Sequence, residues 1–277
     1  TGMLAIVATP IGNADDISRR AVETLRSCAV IACEDTRVTG PLMARLGIAT
    51  KLIAYHEHNA ARMRPAILAR LAEGETVALV SDAGTPLVSD PGYKLVREAI
   101  AEGIQVTTIP GPSAVLAALV LSGLPSDRFM FAGFLPPKTV ARRRELQKLA
   151  AIGATLIFFE SANRLAATLA DMAETMGERE AAMTREITKM FEEVRRGSLR
   201  ELADHYAAAG APKGEVVIVV GPPGAAAAPD DAEIDRLLAA ALQQESLRDA
   251  VDAVTEATGL PRRDIYARAL RLTKGED

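Results

Sequence analysis

The segment from Val77 to Gly92 constrains the fold more than any other part of the sequence. Its first four residues, Val77 to Val80, form an apolar run that is typical of a strand covered on both faces, as in a parallel sheet. Glycines and prolines follow directly, together with Asp82 and Asp90. Because open α/β sheets hold ligands just beyond the carboxyl ends of their strands, the segment predicts a buried strand that opens onto a ligand-binding loop.

Two further loops of similar composition argue against an ordinary strand-to-helix turn, which would explain a single Gly-Pro pair. The loop 9–13 follows the apolar run Leu4 to Val7, and the loop 110–113 follows the run that ends at Ile109. Three such loops predict one shared cleft. The first strand is not followed by GxGxxG, and the sequence has no GxxxxGK[ST], so dinucleotide and nucleoside triphosphate sites lose their usual support.

Composition limits the classes of partner. The net charge is −4 over 277 residues, so the chain as a whole has no nucleic-acid signature and any RNA contact must be local. No apolar stretch reaches the roughly 18 residues needed to span a bilayer, which predicts no membrane segment. Cys28 and Cys33 belong to no CxxC motif or Cys/His cluster. They predict buried, inert thiols in a cytoplasmic protein and no metal site.

The order of elements predicts an α/β chain with three parts. Five strand-helix units up to residue 121 predict a mainly parallel sheet in an N-terminal α/β domain, 1–121. More strands and fewer helices follow, which predicts a mixed α+β domain at 122–225, with a helix from Asn163 to Met176 capped by Asn163. Residues 221–229 have the composition of a linker. A helical extension is expected over 230–277, interrupted at residues 259–261.

The motifs in these loops resemble a known family. The matching segments are, in order, TPIGN at 9–13, ACEDTR at 32–37, SDAGTPLVSDPGY at 81–93, GPSAVLAAL at 111–119, SGLP at 122–125, FFES at 158–161, TREITKMFEEVRRG at 184–197 and KGEVVIVV at 213–220. Together the chain is similar to the tetrapyrrole-methylase superfamily of S-adenosylmethionine-dependent enzymes. Within it, the sequence resembles the branch that methylates the ribose 2'-hydroxyl of a cytidine in small-subunit (16S) ribosomal RNA.

The resemblance implies a two-domain protein that binds S-adenosyl-L-methionine in the cleft between its domains, held mainly by backbone groups, and that forms a homodimer. The donor-binding residues that it implies are Pro10, Gly12, Asp82, Ala83, Gly84, Thr85, Ser113, Phe159, Gly214 and Glu215. The implied partner is small-subunit ribosomal RNA or the assembled small subunit, with no membrane and no metal.

A ribose hydroxyl is a poor nucleophile until its proton leaves, so a nearby base would raise the rate by about 10²- to 10⁴-fold. Asp35, Glu34 and His56 are the candidates for catalysis, because each follows a predicted strand at the edge where the loops gather. Arg37 would hold an RNA phosphate. The alternative is structural, since Asp35 or Thr36 would also serve as a helix N-cap.

Two basic segments are candidates for RNA binding. The stretch from Lys138 to Lys148 carries Arg142, Arg143 and Arg144, and the tail carries Arg262 and Arg263. Such residues would bind the phosphate backbone. A solvated helix face would explain the first segment equally well, and a dimer or lid element would explain the second.

Two other functions stay open at this point. Methylation of a small molecule of the corrin or porphyrin type would use the same fold but would need no basic tail. A non-catalytic protein that binds ribosomal particles would bind the donor without transferring the methyl group.

Overall fold

Short apolar runs form a five-stranded parallel sheet in the first half of the chain. In this computed structural model, which describes residues 2–88, 92–224 and 230–274, the strands are β1 (Met3–Val7), β2 (Val30–Cys33), β3 (Leu52–Ala54), β4 (Thr76–Val80) and β5 (Gln105–Ile109). Their order is β3-β2-β4-β1-β5, and every neighbouring pair is parallel. The predicted α/β class with a mainly parallel sheet is confirmed.

Helices cover both faces of this sheet. They are α1 (Arg19–Ser27), α2 (Thr36–Arg45), α3 (Ala60–Ala72) and α4 (Tyr93–Ala101). Successive strand residues point to opposite faces, and the two sides of β4 accordingly belong to two separate apolar cores. Val77 and Leu79 pack on one side, and Ala78 and Val80 on the other. This two-sided burial explains why the strand is a continuous apolar run.

The second half contains a mixed sheet with the order β6-β7-β10-β8-β9. Its strands are β6 (Phe129–Phe134), β7 (Thr155–Glu160), β8 (Glu180–Arg185), β9 (Glu193–Ser198) and β10 (Val216–Val220). β6 and β7 are parallel, whereas the other neighbours are antiparallel. The helices here are α6 (Thr139–Leu149), α7 (Leu165–Met176) and α8 (Leu199–Ala209). The predicted mixed α+β arrangement is confirmed.

The helix α5 (Ala114–Ser122) links the two sheets. It follows β5 of the first sheet, yet its buried residues Val115, Ala118 and Leu119 pack in one core with Ile157 and Val219 of the second sheet. The chain therefore passes to the second sheet before residue 121, where the sequence predicts the end of the first domain. By contacts, residues Thr1–Pro222 form one compact unit that contains both sheets.

The predicted N-cap at Asn163 is wrong. Asn163 lies within a short 3-10 turn, Ala162–Arg164, and α7 begins at Leu165 without a side-chain cap. The buried carboxylate of Glu160 bonds the start of the helix instead. It accepts hydrogen bonds from the Ser161 amide at 2.7 Å and from the Thr168 hydroxyl at 2.7 Å. A local sequence pattern for capping does not reveal an anchor that comes from the preceding strand.

The remaining residues, Pro223–Asp277, form a second compact unit. It contains α9 (Asp231–Leu242), α10 (Leu247–Thr258) and α11 (Arg262–Lys274). Their core includes Leu238, Val251 and Ile265, and the break between α10 and α11 falls at residues 259–261, as predicted. Residues 225–229 of the predicted linker lie outside the described residues, as does Asp90 of the β4 loop.

Two further expectations concern single features. Cys28 and Cys33 are both buried and unpaired, as predicted, and burial raises the pKa of both thiols. In the described ranges, no helix combines the length and the apolar character that a membrane span requires.

Candidate active site

Hydrogen bonds join the three loops that follow β1, β4 and β5. Thr9 and Gly84 exchange two backbone hydrogen bonds of 3.0 Å each, which connects the β1 loop with the β4 loop. The Thr85 hydroxyl donates to the Pro112 carbonyl at 3.0 Å, which connects the β4 loop with the β5 loop. The Ser113 hydroxyl accepts from the Leu116 amide and caps α5. The loops therefore form one wall rather than three independent segments.

This wall faces residues of the second sheet across a cavity of about 540 Å³, which we name the apolar cavity. Its lining is Ile11, Ala83, Gly84, Thr85, Val88, Ser113, Ala114, Val115, Phe134, Phe159, Glu160, Ser161, Ala162, Ile187, Gly214, Glu215, Val216 and Val217. Most of these side chains are apolar or small, so polar contacts to a ligand would come chiefly from the backbone. The volume lies within the range of about 300–1,000 Å³ for small-molecule sites.

Gly84 lies where the loops come closest. Its φ of +75° belongs to the left-handed region that favours glycine. A Cβ atom on this residue would be 3.2 Å from Cγ2 of Ile11 and 3.6 Å from the Pro112 carbonyl oxygen. Both the backbone conformation and the close approach therefore require glycine at this position.

The opposite wall includes an aromatic group and a tightly held turn. The ring of Phe159 meets those of Phe131 and Phe134 edge to face, with centroids 4.8 and 5.8 Å apart. At the turn, the Glu215 amide donates to Oε1 of Glu186 at 2.9 Å. A Cβ on Gly214 would be only 2.1 Å from that same oxygen. The turn thus depends on a glycine that lets a carboxylate approach the backbone.

Lys189 connects this turn with the β1 loop. Its Nζ atom lies 3.3 Å from Oε1 of Glu186 and 3.1 Å from Oε2 of Glu215. A Cβ on Gly12 would be 2.6 Å from Cγ of Lys189. Gly12 therefore lies under the lysine side chain, and it is the neighbouring Ile11 that lines the cavity.

Seven of the ten donor-binding residues implied by the resemblance line the apolar cavity. They are Ala83, Gly84, Thr85, Ser113, Phe159, Gly214 and Glu215. Pro10 and Gly12 flank Ile11 outside the lining, and Asp82 lines a neighbouring cavity instead. The apolar contributors, including Val88 and Ile187, were not predicted, because apolar residues in strands and loops give no local sign of facing a ligand.

The neighbouring cavity has a volume of about 360 Å³ and is lined by Glu34, Asp35, Thr36, Arg37, Ala54, His56 and Asp82. We name it the charged cavity. The structure thus brings together all three candidate catalytic residues with Arg37. Asp82 and Ala83 are consecutive and line different cavities, so the β4 loop contributes to the lining of both.

Asp35 has two roles in this arrangement. Its Oδ1 atom accepts from the Arg37 amide at 2.9 Å, so Asp35 is the N-cap of α2, as the structural alternative predicted. The Arg37 guanidinium also holds the carboxylate through two bonds, Nε to Oδ1 at 3.0 Å and Nη2 to Oδ2 at 2.8 Å. Hydrogen bonding to Arg37 lowers the pKa of Asp35. Asp35 is therefore held as a carboxylate.

Asp82 is in a different electrostatic state. Its Oδ1 atom accepts a hydrogen bond of 3.1 Å from the Asp35 amide. Desolvation, together with the nearby negative charge of Asp35, raises the pKa of Asp82, although the hydrogen bond from the Asp35 amide and the charge of Arg37 oppose the change. Two carboxylates in one cavity thus have pKa values displaced in opposite directions, a pattern that is typical of acid-base sites.

His56 contributes a buried polar atom. Its Nδ1 atom has no hydrogen-bond partner among the described residues, and its ring centroid lies 6.0 Å from that of His58. The backbone amide of His56 donates to the Asn59 side chain at 2.8 Å, which fixes the loop after β3. Over the described ranges, no three His, Cys, Asp or Glu side chains are grouped as metal ligands.

The basic segment of α6 needs a correction. Arg142 is only 3% exposed, and its guanidinium donates to the buried carboxylate of Asp171 at 2.7 Å. A guanidinium that is buried in an internal ion pair is not placed to contact an RNA phosphate. Arg143 is half-exposed and also binds Asp171, at 2.8 Å, whereas Arg144 is exposed. Only Arg143 and Arg144 are retained as candidates here.

Arg262 and Arg263, in the helical unit formed by α9, α10 and α11, are exposed but differ in pairing. Arg262 donates to Asp252 at 2.5 Å. Arg263 is 94% exposed and lies 3.5 Å from the Asp264 carboxylate. Arg268, which was not a candidate, binds Asp231 and Asp235 and fixes α11 against α9.

The fold thus combines a parallel sheet and a mixed sheet with a ligand-sized cavity lined by residues of both halves. The family model described as tetrapyrrole (corrin/porphyrin) methylases matches residues 3–203. The chain belongs to this family. A second model, described as the RsmI C-terminal HTH domain, matches residues 228–273.

Curated relatives match over almost the whole chain. A protein of Mesorhizobium japonicum named ribosomal RNA small subunit methyltransferase I is 55% identical, over 99% of this chain and 94% of the relative. A protein of the same name from Erythrobacter litoralis is 54% identical, over 97% of this chain and 95% of the relative.

Solved structures of low sequence identity share the fold. The cobalamin biosynthetic enzyme cobalt precorrin-4 methyltransferase has a TM-score of 0.59 at 19% identity, over 79% of this chain and 94% of that one. Uroporphyrin-III C-methyltransferase from Thermus thermophilus, complexed with S-adenosylhomocysteine, has a TM-score of 0.56 at 16% identity, over 80% and 97%.

Proposed function

We propose that this protein uses S-adenosyl-L-methionine to methylate the ribose 2'-hydroxyl of a cytidine in small-subunit ribosomal RNA. The observation that carries the proposal is that two consecutive residues of the β4 loop, Asp82 and Ala83, line a charged cavity and an apolar cavity. A donor in the apolar cavity would lie beside a charged cavity suited to a ribose and its phosphates. The names of the relatives support RNA as the acceptor.

The apolar cavity fits the donor in two respects. Its volume suits a molecule of that size, and its mainly apolar and small lining residues suit a ligand held by shape and by backbone groups. The residues that would hold the donor are Ala83, Gly84, Thr85, Ser113 and Phe159 together with the Gly214–Glu215 turn. When bound, the donor supplies an activated methyl group.

The protein's own contribution is positioning. Holding two reactants in alignment is worth up to about 7–11 kcal/mol, and the hydrogen bonds among the three loops provide a fixed wall for that purpose. The bidentate Asp35–Arg37 pair gives Arg37 a defined orientation at the rim of the charged cavity, where it would bind a phosphate.

RNA contacts outside the cavities would come from exposed arginines. Arg143 and Arg144 on α6 and Arg262 and Arg263 on α11 are accessible, and the match of the helical unit to a helix-turn-helix model supports a nucleic-acid-binding role for it. We place the protein in the cytoplasm as a homodimer that acts on the assembled small subunit, without a metal.

The test is transfer of a labelled methyl group from S-adenosylmethionine to small ribosomal subunits from a strain that lacks this enzyme. Nuclease digestion and mass spectrometry should yield 2'-O-methylcytidine. A label on the base or on another nucleoside would overturn the assigned acceptor. No incorporation, with donor binding intact by calorimetry, would favour a small-molecule acceptor or a non-catalytic role.

A further inference from the structure

Four residues that line the charged cavity have side chains able to accept the hydroxyl proton: Glu34, Asp35, His56 and Asp82. They differ in the hydrogen bonds that they already accept and in their accessibility. Which of them accepts the proton is a question that rests on the proposed function.

Asp35 is poorly suited to accept a proton. Both of its oxygens are already hydrogen-bonded to the Arg37 guanidinium, and Oδ1 also accepts from the Arg37 amide. Protonation of Asp35 would break a charge-assisted bidentate pair, which is among the stronger hydrogen-bonded arrangements in proteins. The lowered pKa of Asp35 has the same cause. Its carboxylate fits the role of orienting Arg37.

His56 is half-buried and lines the charged cavity. Its Nδ1 atom is inaccessible, so Nε2 is the nitrogen left to accept the proton. Glu34 lies next to Asp35 at the end of β2 and takes part in an interaction within the protein. Neither residue is adjacent in sequence to a residue that lines the apolar cavity.

Asp82 combines accessibility with position. Its carboxylate is exposed to the charged cavity, and Oδ1 accepts a single hydrogen bond, from the Asp35 amide. Across the described ranges, Oδ2 of Asp82 accepts no hydrogen bond. The next residue, Ala83, already lines the apolar cavity. Asp82 is therefore the ionisable residue of the charged cavity that directly precedes a residue of the proposed donor cavity.

We infer that Asp82 is the general base of the methyl transfer and that the Asp35–Arg37 pair positions the RNA phosphate beside it. As the new bond between the ribose oxygen and the methyl carbon forms, the sulfur–carbon bond breaks and its electron pair stays on sulfur. The hydroxyl proton passes to Oδ2 of Asp82 and then to solvent. The step needs the donor, the acceptor hydroxyl and one carboxylate, and no other reactant.

The pH dependence follows from the same geometry. A general base works in its deprotonated form, so the rate should rise with pH through the pKa of Asp82 and then level off. That pKa is raised. The acid limb of the pH–rate profile, where the rate rises with pH, should therefore lie above the usual pKa range of an aspartate. The charged and titratable groups facing Asp82 are Glu34, Asp35, Arg37 and His56 in the cavity and the Cys33 thiol behind it.

The experiment compares Asp82→Asn and Asp35→Asn in single-turnover methyl transfer to unmodified small subunits, with saturating donor, over a range of pH. Asp82→Asn should reduce the plateau rate by about 10²- to 10⁴-fold and abolish the acid limb, while the donor Kd from calorimetry stays unchanged. Asp35→Asn should keep the limb but move it to lower pH, because it removes a negative charge next to Asp82. Asp204→Asn, an exposed aspartate on α8, is the control.

A second readout does not depend on turnover. In protein labelled with ¹³C at the aspartate carboxyls, one resonance should titrate above the usual range, disappear in Asp82→Asn and titrate lower in Asp35→Asn. An acid limb that survives in Asp82→Asn, or that is lost in His56→Gln instead, would overturn the inference while leaving the proposed function intact. Failure of the wild-type protein to methylate the particle would overturn both.

Discussion

The apolar cavity and the charged cavity are lined by consecutive residues of one loop, Ala83 and Asp82, yet their linings differ in chemistry. The first is lined by small and apolar residues, so its specificity depends on shape and backbone groups. The second is lined mainly by ionisable side chains that are linked by hydrogen bonds, such as the Asp35–Arg37 pair. Substitutions in the first should therefore change donor affinity, and substitutions in the second should change turnover or RNA binding.

The largest effect on this comparison is expected from Gly84→Trp. The indole would fill the apolar cavity next to Ile11, and donor binding should fall below detection by calorimetry, while binding to the ribosomal particle is retained. Gly103→Trp is the matched control, because Gly103 has a similar φ of +72° but no atom within 4 Å of an added Cβ. Equal loss of donor binding in both variants would assign the effect to backbone strain rather than to the cavity.

Asp35→Ala should affect the other cavity. With Arg37 no longer oriented, turnover should fall by about 10²-fold, the scale expected when a reactant is misplaced by about 1 Å. The donor Kd should change by less than about twofold, or about 0.4 kcal/mol, because Asp35 does not line the apolar cavity. Both constants are measured on the purified protein.

The loss of a helix cap needs its own control. Ser18→Ala removes the corresponding N-cap hydrogen bond from α1, outside both cavities, and should cost stability of about 0.5–2 kcal/mol with normal turnover. If Ser18→Ala slowed turnover as much as Asp35→Ala does, the cap rather than the cavity would explain the result.

A smaller effect is expected at Phe159. Phe159→Leu keeps an apolar wall but removes the edge-to-face contacts with Phe131 and Phe134, which are worth about 0.5–1.5 kcal/mol. The donor Kd should rise by roughly two- to tenfold in a binding titration. Phe191→Leu, at an exposed position outside the cavity, should leave the Kd unchanged. A fall in turnover at saturating donor would show that Phe159 also affects the methyl-transfer step and not donor binding alone.

The smallest effect is expected from Arg37→Gln on RNA binding. Removal of one phosphate contact should lower the slope of log affinity against log salt concentration by about 1. Arg19→Gln is matched to it, because Arg19 is also an exposed arginine paired with an acidic residue, here Glu23. A slope that changes equally in both variants, or in neither, would remove Arg37 from the RNA-binding residues.

The sequence predicted the loop residues of the apolar cavity but not its apolar lining residues. Glycines and prolines after strands have a local conformational meaning, so Gly84 and Ser113 could be identified from the sequence. Val88 and Ile187 could not, because facing a cavity is a tertiary property that apolar residues do not signal. Glu34, Asp35 and His56 could be identified as neighbours, since ionisable residues at the ends of adjacent parallel strands gather at one edge of the sheet. Asp82 was expected to bind the donor, because the sequence does not show which way consecutive loop residues face.

The spacing of residues in the basic segment indicates which of its arginines is buried. Arg142, Leu146 and Leu149 share one face of α6 and are all buried, which the spacing of four and three residues would have indicated. Basic composition alone does not separate the buried arginine of this segment from the exposed ones. The partner, Asp171, lies 29 residues further along the chain, and no local pattern would have revealed it.

The paired hydrogen bonds between Thr9 and Gly84 have a consequence for measuring donor binding. Thr9 is buried and lies outside the lining of the apolar cavity, yet its amide can exchange with solvent only if this bridge opens. A donor that holds the β4 loop closed would therefore slow hydrogen exchange at Thr9 as well as at Gly84. The amide of Thr9 thus reports occupancy of a cavity that its own side chain does not line.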